Sequence, residues 1–426
     1  MLHLFCSKKV NSLKICVLQR FKGTTSSSLL RLCIIVESSE IPLRSTLQTI
    51  LRSSRLVLDV IFWISVIEIL KFLGPSRMHF IEEIIAWYLI NKRDLPWRNT
   101  RDPYIIWLSE IILQQTRVEQ GLPYFERFLD RYPTIAHFAA ANEDEILNLW
   151  QGLGYYSRGR NMHKTSKIVM EEYGGYFPNR YDDLLKLKGV GEYTAAAISS
   201  FSAGEAKAVV DGNVFRLLSR FFGLRDVINS PQGKRAFTEL ANEVINKHDP
   251  GTSNQAMMEF GAKVCKPRNP DCIVCPLNQQ CFALRNDMIT VLPVKKKAQR
   301  PRPRYFNYIV VLSRDSILLS KRRAKDIWEN LYEFPLFESD KILDVIELIG
   351  RPDFVSAFGE EVTILSVHGP AKHQLSHQTI HAQFVVIEAH KLQNVDQMGW
   401  HFVALDELPN IAQPKIIFSF LRNFLH

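Results

Sequence analysis

The spacing of apolar positions predicts helices in the middle of the chain and strands near its end. From Met78 onward, apolar side chains recur with the period of one helix face, at Phe80, Ile81, Ile84, Ile85 and Tyr88. Residues 95–98 then interrupt this pattern with a proline. Similar amphipathic segments, separated by short stretches of Pro, Gly and Asn, continue to about residue 285. We therefore predict an all-α region over residues 78–290.

The period of the pattern changes after a basic, proline-containing run. Residues 295–304 hold six basic residues and two prolines, a composition typical of a linker, which we place at 291–304. Beyond it, residues 306–312 and 316–319 predict a hairpin, and residues 381–387 predict a further strand. Residues 305–426 are therefore expected to form a separate α+β domain, which makes the chain multidomain.

Residues 1–77 differ from the rest in composition. No acidic residue precedes Glu37, whereas six lysines and arginines are scattered among serines and leucines. This bias is typical of an organellar transit peptide, and translation of DNA upstream of a true start at Met78 would also produce it. We expect a disordered extension of one kind or the other. The apolar stretch at residues 60–67 is far shorter than the roughly 20 apolar residues of a membrane span, so no transmembrane helix is predicted.

Length and charge narrow the classes of function. A chain of 426 residues with 46% apolar residues is long enough for two or more domains with proper cores. The net charge of +9 favours a polyanionic partner, either nucleic acid or an anionic membrane surface. Four of the seven cysteines lie in one cluster, which does not fit a disulfide framework and indicates a reducing, intracellular compartment.

The clustered cysteines have the spacing of a metal site. Cys265, Cys272, Cys275 and Cys281 follow the pattern C-x6-C-x2-C-x5-C. Four thiolates within so short a stretch suit soft metal ligation, by zinc or by an iron-sulfur cluster. The spacing alone leaves both alternatives open.

A glycine-containing turn precedes a helical run at residues 193–200. Gly189 and Gly191 allow a tight turn between two helices, and the amides at the start of the second helix can bind a phosphate. This arrangement is the hairpin of a helix-hairpin-helix element. A plain helix-helix turn also uses glycine, so the motif is weak by itself.

Two carboxylates lie in apolar surroundings. Glu110 is flanked by large apolar residues on a predicted helix, where desolvation would raise its pKa and keep a proton available, although a helical Glu is commonly solvated. Asp211 follows Val209 and Val210, which indicates an anchored, partly buried carboxylate. The alternative is a helix cap, a role that we assign instead to Asn213.

Polar and aromatic residues near these carboxylates fit contacts with bases. Gln114 and Gln115 end the apolar run that contains Glu110 and can contact base edges. Residues 151–158, QGLGYYSR, combine glycines that allow close backbone approach with two aromatic rings that offer stacking surfaces beside a cation. Taken alone, this second segment is equally consistent with a packed loop.

The order of these motifs resembles that of the helix-hairpin-helix DNA glycosylases, and within them the MutY family of adenine glycosylases. The resemblance covers residues 78–426. It implies one four-iron four-sulfur cluster at the four cysteines. Bifunctional relatives such as endonuclease III carry a nucleophilic lysine two residues after the second glycine of the hairpin, where this chain has Tyr193. The resemblance therefore implies a monofunctional glycosylase that leaves an abasic site.

The resemblance also implies roles for individual residues. Glu110 would protonate the adenine, Asp211 would stabilise an oxocarbenium-like sugar, and Tyr193 would assist them. The adenine would leave the duplex and enter a pocket that includes Leu95, Trp97 and Arg98. The implied DNA-binding residues are Gln114, Gln115, Thr116, Leu153, Tyr155, Gly189 and Gly191, of which Gln115 and Tyr155 would occupy the vacated stack.

The C-terminal region resembles the Nudix-like domain of the same family. Residues 326–335, DIWENLYEFP, are similar to its WxxLxEFP segment. The carboxylate-rich box that binds magnesium in Nudix hydrolases is missing, so pyrophosphate hydrolysis is not expected. Leu375, Ser376 and His377 stand where the family has Phe-Ser-His, the loop that recognises 8-oxoguanine opposite the adenine. Leu375 lacks a ring that could intercalate, which predicts weaker discrimination of the lesion.

Two other classes of function compete with adenine removal. A pyrimidine-lesion glycosylase and lyase is disfavoured by Tyr193 and by the C-terminal domain, and a non-catalytic damage sensor is disfavoured by the presence of both carboxylates. We expect a monomer that binds double-stranded DNA with adenine opposite 8-oxoguanine or guanine, and no membrane. We expect it in a bacterial cytoplasm with the nucleoid, or in an organelle if residues 1–77 are a transit segment.

Overall fold

The computed structural model describes residues 4–6, 13–18, 32–36, 77–296, 300–322, 325–389, 392 and 398–425. The chain divides into two compact units, residues 1–73 and 74–426. In the first unit, strands β1 (Leu4–Cys6), β2 (Leu13–Leu18) and β3 (Leu32–Val36) form an antiparallel sheet in the order β1-β2-β3. The sequence analysis predicted a disordered extension and no strands in this part of the chain. The apolar stretch at 60–67 lies outside the described residues, and within those residues no helix has the length and apolar composition needed to cross a bilayer.

The predicted all-α region is confirmed. Its first half contains α1 (Arg77–Asn91), α2 (Pro103–Ile112), α3 (Val118–Arg131), α4 (Ile135–Ala140), α5 (Glu143–Leu149), α6 (Ser157–Glu172), α7 (Tyr181–Leu184) and α8 (Glu192–Ile198). Its second half contains α9 (Gly212–Phe222), α10 (Pro231–Val244), α11 (Pro250–Lys263) and α12 (Phe282–Arg285). Pro96–Arg98 form a single 3-10 turn, because the proline ends the first helical pattern and restarts the chain in a new direction.

The helices pack around two separate apolar cores. Side chains from α2 to α8, with the 3-10 turn, form one core, in which Trp107, Phe128, Phe138 and Trp150 are fully buried. Side chains from α1, α9, α10 and α11 form the other, around Phe80, Phe221, Phe237 and Phe260. Helix α2 is buried on nearly all sides, as expected for a helix with few polar residues. Its one carboxylate, Glu110, is therefore carried into the interior.

The C-terminal region is built on a mixed sheet of strands β4 to β10. These are β4 (Arg302–Ser313), β5 (Ser316–Lys321), β6 (Tyr332–Glu333), β7 (Leu336–Ser339), β8 (Val362–Gln374), β9 (Gln378–Ala389) and β10 (Trp400–Ala404). The main order is β10-β5-β4-β9-β8, with β6 beside β5 and β7 beside β4. Strands β4 and β9 are parallel, and the other pairs are antiparallel.

Strand β4 begins earlier than predicted. Its ladder with β9 runs from Arg302 opposite Gln378 to Val311 opposite Ile387, so residues 302–304 of the proposed linker belong to the sheet. The predicted hairpin is present, although β4 and β5 pair directly only at Leu312 with Ile317 and at Ser313 with Ser316. Both strands are longer than their apolar patterns, because ladder bonds continue where side chains are exposed.

Helices cover both faces of this sheet. On β4, Ile309 and Val311 face α13 (Val345–Ile349) and α14 (Pro352–Phe358), whereas the alternate residues Tyr308 and Val310 face α15 (Lys415–Phe424). The core on the α15 side is continuous with the core around α2 to α8. The helical and sheet regions thus share one apolar interior.

Candidate functional site

Glu110 lies on α2 with its carboxyl group inside the protein. It is 8% exposed, and its Oε2 accepts a hydrogen bond of 2.9 Å from the Tyr193 hydroxyl on α8. Burial raises the pKa of Glu110 to about 7, with a further contribution from Asp211, while the bond from Tyr193 and the charge of Arg98 oppose the rise. A carboxyl group with this pKa retains a transferable proton near neutral pH.

Asp211 is the N-cap of α9. Its Oδ1 accepts hydrogen bonds from the backbone amides of Asn213 (2.9 Å) and Val214 (2.8 Å), and its Oδ2 accepts one from Asn213 Nδ2 (2.7 Å). The assignment of the cap to Asn213 was wrong, since Asn213 already lies inside the helix. Burial raises the pKa of Asp211, and the same hydrogen bonds counteract that rise. These hydrogen bonds hold both carboxylate oxygens of Asp211, so the carboxylate has a fixed position at the start of α9.

The two carboxyl groups line one cavity of about 180 Å³ where the two helical cores meet. Helices α2 and α8 contribute Glu110 and Tyr193, and the N-terminus of α9 contributes Asp211. The pocket residues expected from the sequence, Leu95, Trp97 and Arg98, are also brought together there, and Thr116, which was expected among the DNA contacts, lines the same cavity. Leu95 and Trp97 are buried, and Trp97 is held edge-on against Phe125.

The lining of the same cavity contains a further carboxylate, which the sequence analysis missed. Glu259 on α11 is 1% exposed and accepts hydrogen bonds from Arg93 Nε (2.8 Å) and from the Arg93 and Arg98 guanidinium groups (2.8 Å each). Although burial opposes it, these bonds lower the pKa of Glu259 to about 2. The cavity is therefore lined by both a buried ion cluster and a protonatable acid. A Glu within an amphipathic helix gives no local signal of this role.

Two loops contain a residue with left-handed backbone, one at the C-terminal end of α2 and one just before α6. Gln115 has φ +57° and Tyr155 has φ +48°, and both side chains are exposed, Tyr155 by 48%. Gln114 is turned inward, where its Nε2 donates to Thr194 Oγ1 at 3.2 Å. Leu153, which the resemblance placed among the DNA contacts, is instead buried at 7% exposure and packs in the core.

Arg158 joins these two loops. Its guanidinium donates to the carbonyls of Ile111 (2.8 Å), Ile112 (3.1 Å) and Gln114 (2.6 Å) at the end of α2, and to that of Gly154 (3.2 Å). The end of a helix leaves such carbonyls without partners inside the helix, and a cation there is favourable. Arg158 therefore fixes Gln115 and Tyr155 relative to each other.

The hairpin has the conformation expected from its glycines. Gly189 has φ +80°, and a Cβ atom there would lie 2.9 Å from the Asn161 Cβ, so a larger residue would meet both strain and a clash. Gly191 is the N-cap of α8, and both glycines are exposed. The N-terminus of α8, the helix that carries Tyr193, thus faces solvent at Gly191 and Glu192.

The four clustered cysteines are all free and line one small apolar cavity. Leu217, Phe221, Phe260 and Leu277 form part of its wall, and Arg220 donates to Cys265 Sγ at 3.5 Å. Arg220 also donates to the carbonyls of Lys266 (2.7 Å) and Pro267 (3.1 Å), which holds the loop in place. In the described ranges, no group of three or more Cys, His, Asp or Glu residues converges closely enough to hold a single metal ion.

A second arginine connects this loop to the cap of α9. Arg216 Nε donates to the Cys265 carbonyl (2.6 Å), and its NH2 donates to Asn213 Oδ1 (2.8 Å). Asn213 in turn donates to Asp211. The cysteine loop and the Asp211 carboxylate therefore share a chain of hydrogen bonds through α9.

Leu375, Ser376 and His377 form the turn between β8 and β9, here called the lesion loop after the role that the resemblance implies for it. Ser376 and His377 are exposed, and Leu375 is half-buried against the shared core. The turn is closed by Leu375 N donating to the Gln378 carbonyl (2.8 Å), and Arg302 N donates to the His377 carbonyl (3.0 Å). The loop is thus held at the end of the sheet where β4 begins.

Comparisons with known proteins agree with this arrangement. Residues 108–244, which include Glu110, Tyr193 and Asp211, match the HhH-GPD superfamily base excision DNA repair protein, and residues 307–423 match the NUDIX domain. The adenine DNA glycosylase of Buchnera aphidicola subsp. Schizaphis graminum (strain Sg) is 33% identical over 350 residues, which cover 81% of this chain and 98% of that protein. The adenine DNA glycosylase of Homo sapiens is 40% identical over 213 residues, 48% of this chain and 39% of that protein. The chain belongs to the adenine DNA glycosylase family.

Proposed function

We propose that this chain hydrolyses the N-glycosidic bond of adenine in double-stranded DNA where the adenine faces 8-oxoguanine or guanine. The observation that supports this most is the pairing of two unlike carboxyl groups on one cavity. Glu110 has a pKa of about 7, whereas Asp211 is anchored by amide donors that favour its ionised form. Removal of a base needs one proton donor and one anion.

The residues then divide the reaction between them. Glu110 transfers its proton to N7 of an adenine that has left the stack, so the bond between the base and the sugar breaks with its electron pair on the base. The Asp211 carboxylate stabilises the positive charge that develops on the sugar, and water completes the hydrolysis. Tyr193 keeps its proton, since burial raises its pKa well above the usual value, and it holds Glu110 by a hydrogen bond.

The reaction leaves the strand intact. A lyase needs an amine that forms a Schiff base with the sugar, and the position of that amine is taken by the neutral phenol of Tyr193. Gln115 and Tyr155, both exposed on left-handed loops, would fill the space that the adenine leaves. The exposed glycines and free amides of the hairpin would bind a phosphate nearby.

The four cysteines would hold one four-iron four-sulfur cluster. Four free thiols around one apolar cavity supply the ligand set that such a cluster requires. When bound, the cluster would fix the loop at residues 263–268, which carries Lys263, Lys266 and Arg268 toward DNA phosphates. Glu110 and Asp211 carry out the chemistry without electron transfer.

Single-turnover assays on duplexes with adenine opposite 8-oxoguanine test this function. We expect adenine release, with strand cleavage only after alkali. Glu110→Gln keeps the size of the side chain and an acceptor for Tyr193 but has no proton to give, so release should slow at least about a hundredfold while binding to the duplex persists. Glu126→Gln, on the exposed face of α3, is the matched control and should leave the rate unchanged.

Three results would contradict the proposal. Near-native rates for Glu110→Gln would remove Glu110 as the acid. Trapping of the wild-type protein by borohydride on a pyrimidine lesion would indicate a lyase. Binding without any base release by the iron-loaded protein would indicate a damage sensor.

A further inference from the structure

One short segment of the C-terminal region contacts both the strand that leads into the lesion loop and the helices beside Tyr155. Residues 326–330, here called the bridging segment, lie between β5 and β6. Trp328 and Asn330 both have left-handed backbone, with φ +61° and +65°. Such conformations are unfavourable for residues other than glycine and persist only where surrounding contacts enforce them. The contacts on the two sides of this segment are therefore specific.

The sheet holds the base of the segment. Asp326 accepts ion-paired hydrogen bonds from Arg322 and Arg304 at 2.7 Å each, and Asn330 N donates to the Arg322 carbonyl at 2.6 Å. Both arginines are at most one-tenth exposed, so these pairs are shielded from water. The segment thus moves with the sheet as one body.

On one side, the segment packs beside the lesion loop. The Trp328 ring lies 6.1 Å from that of Phe306 on β4 and 5.8 Å from that of His373 on β8. His373 is two residues before Leu375, and β4 supplies the Arg302 amide that holds the His377 carbonyl. Trp328 is 8% exposed, so its contacts define a fixed distance to the lesion loop.

On the other side, the segment binds the helical region. Arg160 on α6 donates to the Glu329 carbonyl (2.7 Å) and to its carboxylate (3.3 Å). Asn330 Nδ2 donates to the carboxylate of Glu143, the first residue of α5. Helix α6 begins two residues after Tyr155, and Arg160 lies within its first turn. The hydrogen bonds between the bridging segment and Arg160 therefore lie close in sequence to the loop that presents Tyr155.

We propose that the bridging segment sets the position of the lesion loop relative to the Tyr155 loop, and thereby determines how strongly 8-oxoguanine accelerates adenine removal. This rests on the proposed function, in which Tyr155 fills the space that the adenine leaves, and on recognition of the opposite 8-oxoguanine by the lesion loop, which the resemblance implies. Asn330, Glu143 and Arg160 are positioning residues, and they touch neither the adenine pocket nor the lesion loop. Without them both loops remain and the shared core still joins the two regions, but the direct hydrogen bonds between the bridging segment and the helical region are lost.

The test compares single-turnover rates of adenine release opposite 8-oxoguanine and opposite guanine. Asn330→Gly keeps the left-handed backbone and removes only the amide, and Glu143→Ala removes its acceptor. Each variant should lower the ratio of the rate opposite 8-oxoguanine to the rate opposite guanine by several-fold, up to about tenfold. This is the effect expected for the loss of one hydrogen bond to a charged group. The rate opposite guanine should stay unchanged. The double variant should be no worse than either single one, because both remove the same bond.

Asp144→Ala is the matched control. Asp144 is adjacent to Glu143 and accepts hydrogen bonds from Lys321 on β5 (2.7 and 2.8 Å), so this change breaks an interface contact outside the bridging segment. It should leave the ratio unchanged. An unchanged ratio in both Asn330→Gly and Glu143→Ala, or an equal loss in Asp144→Ala, would overturn the inference. A wild-type protein with equal rates on the two duplexes would instead overturn the proposed lesion recognition, and the inference with it.

Discussion

At the scale of single residues, the site depends on giving two chemically similar carboxyl groups different proton affinities. Glu110 projects from a helix that is buried on nearly all sides, with one hydrogen-bond donor, so desolvation dominates its pKa. Asp211 is also desolvated, but three donors at the start of α9 stabilise its charge. At Glu259 the balance is reversed, because hydrogen bonds from two arginines lower the pKa by more than burial raises it. The surroundings, more than the side-chain type, assign each role.

These environments predict a bell-shaped dependence of adenine release on pH. The rate should fall as pH rises through about 7, since Glu110 then loses the proton that it donates, and should fall in acid as Asp211 becomes protonated. The bond from Tyr193 lowers the pKa of Glu110, so Tyr193→Phe should move the alkaline limb to higher pH. Single-turnover rates across the pH range measure both limbs. Tyr176→Phe, on a ring 84% exposed, is the control, and a limb in Tyr193→Phe that stayed in place would contradict the assigned hydrogen bond.

At the scale of elements, the loop between α11 and α12 is organised by thiols and arginines rather than by regular structure. Arg216 and Arg220 on α9 donate to backbone carbonyls of this loop and place Cys265 against the helix. Because Arg216 also binds Asn213, the same helix supports the loop and the Asp211 cap. Helix α9 is therefore the element that connects the cysteine centre to the pocket.

Cys275→Ser should remove iron and loosen this loop. Loss of one of four ligands is expected to abolish cluster assembly, to lower the melting temperature and to weaken binding to duplex DNA at least about tenfold at physiological salt, since phosphate contacts contribute most of the affinity. Iron content, absorption spectra and titrations with labelled duplex measure these effects. Cys33→Ser alters a cysteine outside the set and should retain iron. Lost iron with unchanged DNA affinity would contradict the proposed structural role of the cluster.

At the scale of the whole molecule, residues 77–425 fold around a core that crosses from helices to sheet. Trp150 and Tyr156 of the helical region belong to the same apolar cluster as Phe334 and Ile417 of the sheet region. The Tyr156 hydroxyl also donates to the Gln413 carbonyl at 3.1 Å. The basic linker predicted two separate domains, but the shared apolar core joins the helical region to the sheet region.

Phe334→Ala should therefore destabilise the helices as well as the sheet. Phe334 is fully buried against Tyr308, Phe384 and Phe420, so the cavity left behind should cost about 3–5 kcal/mol. Calorimetry should show the main transition shifting as a unit, and helical circular dichroism should be lost at the same lower temperature. Phe418→Ala, at a ring 44% exposed, should have little effect. A separate sheet transition that shifted alone would show that the core is not shared.

Much of this protein follows from local pattern. Helical spacing after Met78 and the change of period after the basic run were sufficient to predict the helical region and the α+β region, because each depends on residues near one another in sequence. The soft metal site inferred from the cysteine spacing remains a prediction. The early start of β4 was not predictable, since residues 302–304 show no apolar alternation and join the sheet through pairing with β9. The burial of Leu153 was not predicted, because a loop pattern does not reveal which side chain faces the core.

The sequence by itself determined which chemical groups are available: Glu110, Asp211, Tyr193, four thiols and a cationic surface. Only the tertiary structure decided what those groups can do. A pKa of about 7 arises where α2 is buried among helices distant in sequence, and Glu259 enters the pocket wall across 149 positions of chain from Glu110. Desolvation and ion pairing depend on spatial neighbours, which no local pattern specifies.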